Sequence, residues 1–334
     1  MPFSPERRPG TLSGVLFVAL FAVAAFQIAS WPVISALKLS PLVIGIVLGM
    51  AYANTLRQHL PEPWVPGVVF SAKTLLRVGV ALYGFRLTLQ QLAEVGPVGL
   101  LLSLIMVTTT FLLGAFVGRR ILKLDRDTAW LTAVGSAVCG AAAVLATEPV
   151  LKAKPYKSAV AVGTVVFFGT LAMFLYPLMQ RSGLLGLDPT AYGLYVGSTV
   201  HEVAHVVAAG AAVPGAAKVA VVVKMTRVVL LAPLLLVLGF LVARGEGDKK
   251  AQVPAFALWF LAVIGFNSLG LLPPDGVAAI NRFDTFLLTM AMTALGMETS
   301  AKKLRTAGPK PMLEALVMAL WLVGGGYLLV RLLT

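Results

Sequence analysis

Charge is what this chain lacks most: only 12% of its 334 residues are charged, against about 25% in ordinary soluble domains, and acids are scarcest, with 14 Asp and Glu. With 58% hydrophobic residues and a mean hydropathy of +0.90, this excludes a soluble globular protein and implies a polytopic membrane protein. The single cysteine, Cys139, excludes an intrachain disulfide. It lies among small apolar residues and reads as a packing residue, because nothing around it marks a thiolate. No polar stretch is long enough for a sizeable soluble domain.

A spanning helix needs roughly 20 apolar residues. Apolar stretches bounded by Pro, Gly and charge fall at 12–30, 40–54, 66–88, 97–118, 128–147, 156–179, 190–212, 216–243, 254–272, 283–300 and 311–332. The first follows Glu6-Arg7-Arg8 as a signal peptide would, but it is long and more spans follow, which favours an uncleaved helix. Residues 1–11 are then a cytoplasmic tail and 12–334 a single transmembrane domain.

The 27 Lys and Arg give a formal charge of +13, which in a soluble protein would suggest nucleic acid. Here the excess sits in short loops and orients the chain in a lipid bilayer, so no nucleic-acid partner is expected. Counted over alternate loops it divides 15 against 7, placing the N-terminus in the cytoplasm and the C-terminus outside; the expected location is a plasma membrane, the inner membrane of a bacterium. Lys152, Lys154 and Lys157 fall on the wrong side of that division.

With the helix over 12–30 set aside, the rest splits into 40–180 and 190–332, two sets of five, which an inverted repeat requires. The third and eighth stretches agree weakly, each carrying two cations on one helical face: Lys73 with Arg77, and Lys224 with Arg227. The expected fold is all-α and polytopic, with about eleven transmembrane helices in a 5+5 inverted repeat plus an extra N-terminal helix, and two broken crossing helices.

Gly135-Ser136-Ala137-Val138-Cys139-Gly140 is made almost wholly of small residues. Such a run either packs tightly or unwinds so that a half-helix N-terminus faces an anion. Thr293 and Gly296 in the tenth stretch are the matching candidates for a second break. Intramembrane cations are costly and normally face inward for a purpose. Lys73, Arg77, Lys224 and Arg227 outnumber the one obvious deep acid, Glu202, and that excess favours an anionic substrate; Arg86 could instead reach the interface. Asp284 reads as an interfacial residue, Glu298 as a capping or solvated group, and Asn267 as a helix-to-helix hydrogen bond or a ligand, so sodium coordination has little support.

His201-Glu202-Val203-Ala204-His205 fits H-E-x-x-H, whose histidines share one helical face in zinc proteases. Asp275-Gly276 offers a third ligand, so an intramembrane metalloprotease is the alternative to a carrier, with a passive anion channel a third reading. In a carrier, His201 and Glu202 are the candidates for a coupling proton, or else a lock between helices.

Several segments, in order along the chain, carry a family resemblance: Leu75-Leu76-Arg77, Tyr83 to Thr88, Gly135 to Val150, Gly197 to Ala204, Lys224-Met225 with Arg227, Phe266-Asn267-Ser268 and Ala294-Leu295-Gly296. On these the chain resembles the YeiH-like sulfate exporter family of bacterial membrane proteins. The resemblance implies a carrier distantly similar to bile-acid symporters and sodium/proton antiporters, with broken helices crossing near the bilayer midplane and sulfate or small organosulfonates as cargo. His205 departs from the family, which more usually has Gln there, and this undermines the zinc reading. The combined expectation is a non-enzymatic secondary carrier of a small anion without a cofactor. Gly135, Ser136, Cys139, Gly140, Lys73, Arg77, Lys224 and Arg227 would bind the anion, and His201 and Glu202 would carry the proton. A homodimer stays open.

Overall fold

Apolar length dictates the first layer of the architecture. The computed structural model describes residues 8–36, 40–94, 96–245, 255–298 and 308–334, and every element among them is helical. Arg7, Lys38, Lys249, Lys250, Lys302, Lys303 and Arg305 of the charge count lie outside the described residues, as does most of the tail over 1–11.

Six helices are each long and apolar enough to cross a bilayer: α1 (Arg8–Ala29), α3 (Glu62–Arg86), α4 (Gly96–Ile121), α7 (Pro155–Arg181), α10 (Ala216–Ala243) and α13 (Lys310–Leu333). They are joined by the shorter apolar α2 (Pro41–Thr55) and α11 (Ala255–Ser268) and by the long, more polar α12 (Pro274–Met297). Between these lie two helix pairs, α5 (Arg126–Ala137) with α6 (Ala141–Leu151), and α8 (Pro189–Thr199) with α9 (Val203–Ala211). The first helix belongs to the bundle: Val18, Ala22 and Ala25 are buried, and α1 packs on α2, α3 and α12.

The two pairs do not cross the membrane. Lys157, at the start of α7, bonds Asp125 (2.5 Å) and Asp127 (2.9 Å) at the start of α5, and Gly135 lies beside Val165. α5 and α7 therefore run parallel, and α6 has returned the chain to the side it came from. In the second pair, Tyr192 Oη donates to the Ala209 carbonyl (3.2 Å). Gly193 lies beside Ala216 and Val219 and Gly197 beside Ala220 and Val223, so α8 and α10 are parallel as well. Both pairs are re-entrant hairpins. The 12-residue α5 rises about 18 Å and the 11-residue α8 about 17 Å, roughly half of a 30 Å hydrocarbon core.

The hairpins enter from opposite sides. Arg57 donates to the Met297 carbonyl, and Lys123, Asp125, Tyr156 and Lys310 line one 330 Å³ cavity, which fixes one end of the bundle. Arg331 reaches the Gly186 carbonyl (3.1 Å), Lys218 pairs with Glu94 (3.3 Å) and Gln90 bonds the Ser268 carbonyl (2.8 Å) at the other. This refines the expected layout: among the described residues, two of the eleven apolar stretches are hairpins whose two ends lie at the same end of the bundle. Lys152, Lys154 and Lys157 move to the cytoplasmic side and Arg181 leaves it, so the count of 15 against 7 becomes 17 against 5. The three misplaced lysines were the sign of a hairpin.

Local chemistry explains both turns. Asp125 caps α5 by accepting from the Thr128 N–H, Lys152 ends α6 in the left-handed region (φ 53°), and Pro155 opens α7. Asp188 accepts from the Thr190 and Ala191 N–H groups ahead of α8, and Pro214-Gly215, with Gly215 at φ 87°, turns α9 into α10. Burial pushes the Asp125 carboxyl up, but hydrogen bonds from Lys157 and Thr128 outweigh it and hold the group below its ordinary value.

The tenth stretch is not broken at Thr293 or Gly296, contrary to expectation. α12 is continuous to Met297, Thr293 Oγ1 bonds back to the Thr289 carbonyl (2.9 Å), and Gly296 lies against the backbone of Ile46 and Met50. The small residues here let α12 pack closely on α2. Glu298 occupies the C-cap position of α12, and 299–307 lie outside the described residues.

Candidate functional site at the hairpin tips

A re-entrant hairpin exposes backbone groups at membrane depth that must find partners inside the protein. The tips at Val138-Cys139-Gly140 and Val200-His201-Glu202 solve this problem jointly. Lys224 of α10 donates its Nζ to the Val138 carbonyl (2.5 Å) and to the Val200 carbonyl (2.8 Å), one from each tip. One helical turn on, Arg227 Nε donates to the Ala137 carbonyl (3.1 Å) and Nη2 to those of Ser136 (3.1 Å) and Ala137. Both cations are fully buried and cover the negative C-terminal ends of α5 and α8.

The positive ends face the acid. Glu202 takes the N-cap position of α9, and its side chain packs against Gly140 at the start of α6. Gly140 (φ 74°, ψ −133°) permits this contact, since a Cβ there would lie 2.6 Å from Glu202 Cγ. The second tip thus packs on the first, and Lys224 ties the two together.

Unpartnered polar atoms surround the junction. His201 and His205 are 2% and 0% exposed, and among the described residues neither has a hydrogen-bond partner on either ring nitrogen; Ser136 Oγ and Arg227 Nη1 are likewise buried without one. A Cβ on Gly169 of α7 would lie 2.9 Å from His205 Nδ1 and 3.2 Å from His201 Cβ, so both histidines rest against that glycine.

Of the sequence-derived candidates, Ser136, Cys139, Gly140, His201, Glu202, Lys224 and Arg227 converge here. Gly135 does not line the junction but lets α5 close on Val144 and Val165. Lys73 and Arg77 are exposed on α3, which corrects the picture of four inward cations. Nor is Glu202 the only deep acid: Glu148, Asp284 and Glu314 are buried too. Asp284 is inside α12, not at the interface, and pairs with Arg86 (2.9 Å). Asn267 is a helix-to-helix link, donating to the carbonyls of Phe85 (3.0 Å) and Leu87 (2.8 Å).

The zinc motif loses its geometric premise. Val200 (ψ 142°) and Glu202 (φ −110°, ψ 150°) are extended, so His201 precedes the helix that carries His205 instead of sharing a face with it. Asp275 stands apart in the exposed first turn of α12.

Opposed re-entrant hairpins joined at their tips inside an all-helical bundle define a multi-pass membrane protein with an intramembrane polar junction. The family model described as conserved hypothetical protein 698 matches residues 13–315, and the chain belongs to that family. A UPF0324 membrane protein of Bacteroides thetaiotaomicron is 52% identical over 332 residues, covering 97% of this chain and 98% of the relative. The UPF0324 inner membrane protein YeiH of Escherichia coli strain K12 is 46% identical, covering 94% and 92%. The protein described here is likewise a multi-pass inner-membrane protein. Among solved structures, a sodium proton antiporter of Methanocaldococcus jannaschii, MjNhaP1, aligns over 97% of this chain and 99% of its own with 14% identity and a TM-score of 0.32, too low to carry an argument.

Proposed function

We propose that the protein is a non-enzymatic secondary carrier that moves a small anion, of the sulfate or sulfonate kind, across the inner membrane by alternating access. The observation that carries this reading is the tip-to-tip junction, where Lys224 holds one carbonyl from each hairpin. Each hairpin is a barrier half a bilayer thick facing one side, so withdrawing one tip opens the junction to that side alone.

Charge at the junction favours an anion. Lys224 and Arg227 oppose Glu202, while the two C-terminal and two N-terminal half-helix ends, about half a charge each, cancel. Roughly one positive charge is left for a substrate to balance. Ser136 Oγ and Arg227 Nη1 supply free donors to an oxyanion, with Cys139 and Gly140 at the tip beside them. Lys73 and Arg77 no longer belong to the binding set. His201 and Glu202 are the proposed coupling-proton carriers, since they sit on the moving tip.

Flux of labelled sulfate or a small sulfonate into proteoliposomes tests both parts. An imposed pH gradient is expected to drive uptake, and Glu202→Gln to leave exchange intact while removing that drive. Uptake indifferent to the gradient in the native protein would sink proton coupling; no saturable flux or counterflow of any small oxyanion would sink the carrier.

A further inference from the structure

Glu314 lies in the second turn of α13, fully buried, and among the described residues neither of its carboxyl oxygens has a hydrogen-bond partner. It is wedged where three helices meet. A Cβ on Gly118 of α4 would lie 2.8 Å from Glu314 Cδ and Oε1, and 2.7 Å from Ala129 of α5. One turn deeper, Gly114, Ala133 and Met318 repeat the same three-way contact. Gly118 itself lies in a π-helical turn, Val117–Ile121, a local irregularity often found at functional sites.

Charges are close by but engaged elsewhere or exposed. From α5 and its cap come Asp125, Arg126 and Asp127, and from α7 comes Lys157, which is held by both aspartates. Arg119 and Arg120 of α4, Lys123 of the following loop and Lys310 of α13 are exposed. None is hydrogen-bonded to Glu314. An ionised carboxylate with no partner at this depth is strongly disfavoured, whereas a neutral carboxylic acid fits the packing. Separation of α5 from α13 would bring water, and the cations around it, to the group.

We propose that Glu314 is a proton-binding site at the base of the first hairpin, neutral while α5 is docked on α13 and ionised when α5 withdraws. The inference rests on reading that hairpin as a moving gate. Protonation from the cytoplasmic side then closes the hairpin and deprotonation releases it, independently of events at the tips.

Two measurements on the reconstituted full chain test this without any flux. In infrared spectra at neutral pH, the native protein is expected to show a protonated carboxylic C=O band that E314Q lacks. Amide exchange over residues 126–137, corrected for the intrinsic pH dependence, is expected to rise with pH in the native protein and lose that rise in E314Q. If E314Q does not fold, E314M, which fills similar volume without titrating, takes its place. A difference spectrum without the band, or an exchange profile unchanged by the substitution, overturns the proposal. Band and exchange effects in a protein that moves no anion would uphold Glu314 and refute the carrier instead.

Discussion

Gly140→Ala tests the tip junction with the smallest available perturbation. The residue adopts φ 74° and ψ −133°, which side chains avoid, at a cost of about 1–3 kcal/mol. The added methyl would also lie 2.6 Å from Glu202 Cγ, and overpacking of that kind costs about 1–3 kcal/mol. The variant is therefore expected to be about 2–6 kcal/mol less stable, a factor of roughly 30 or more in the folded-to-unfolded ratio. Glu202 would be displaced from the start of α6, so anion flux should fall further than stability alone explains. Gly163→Ala is the matched control: nothing lies within 4 Å of a Cβ there, the position is helical, and the substitution should stabilise by about 0.5–1 kcal/mol. Denaturant unfolding in detergent, beside flux in liposomes, reads both effects. Equal stability of Gly140→Ala and the native protein would refute the claim that the tips meet at this glycine.

Two further outcomes follow from the same geometry. In a Cys139→Ala background, a Lys154→Cys probe should label from the cytoplasmic face together with Arg126→Cys, and labelling of position 154 from the periplasm would restore a membrane-crossing α5–α6 pair. Lys224→Met should leave the Val138 and Val200 carbonyls without their donor, costing about 1–3 kcal/mol for each and abolishing flux; unchanged unfolding would show that the amine does not hold the tips together.

Much of the site was legible because intramembrane polarity is expensive. Lys224, Arg227, His201 and Glu202 stood out in apolar sequence, and the small-residue run over 135–140 marked a break. Glu314 and Glu148 did not stand out, because each lies near a helix end, where sequence cannot separate a solvated acid from a buried one. Lys73 and Arg77 matched Lys224 and Arg227 in spacing but not in burial, since spacing fixes which residues share a face and leaves open what that face meets. The H-E-x-x-H reading assumed one helix through residues 200–202, and the local chain is extended.

By itself the sequence determined an all-helical, multi-pass membrane protein and two separate polar candidate segments, 135–140 and 197–205, because apolar length and the cost of buried charge are both linear along the chain. Only the tertiary structure decided that two of the apolar stretches turn back halfway, that their tips meet, and that Lys224 joins them. A half-membrane hairpin and a crossing helix have similar total apolar length, and the difference lies in which ends become neighbours, as Lys157 shows by closing on Asp125.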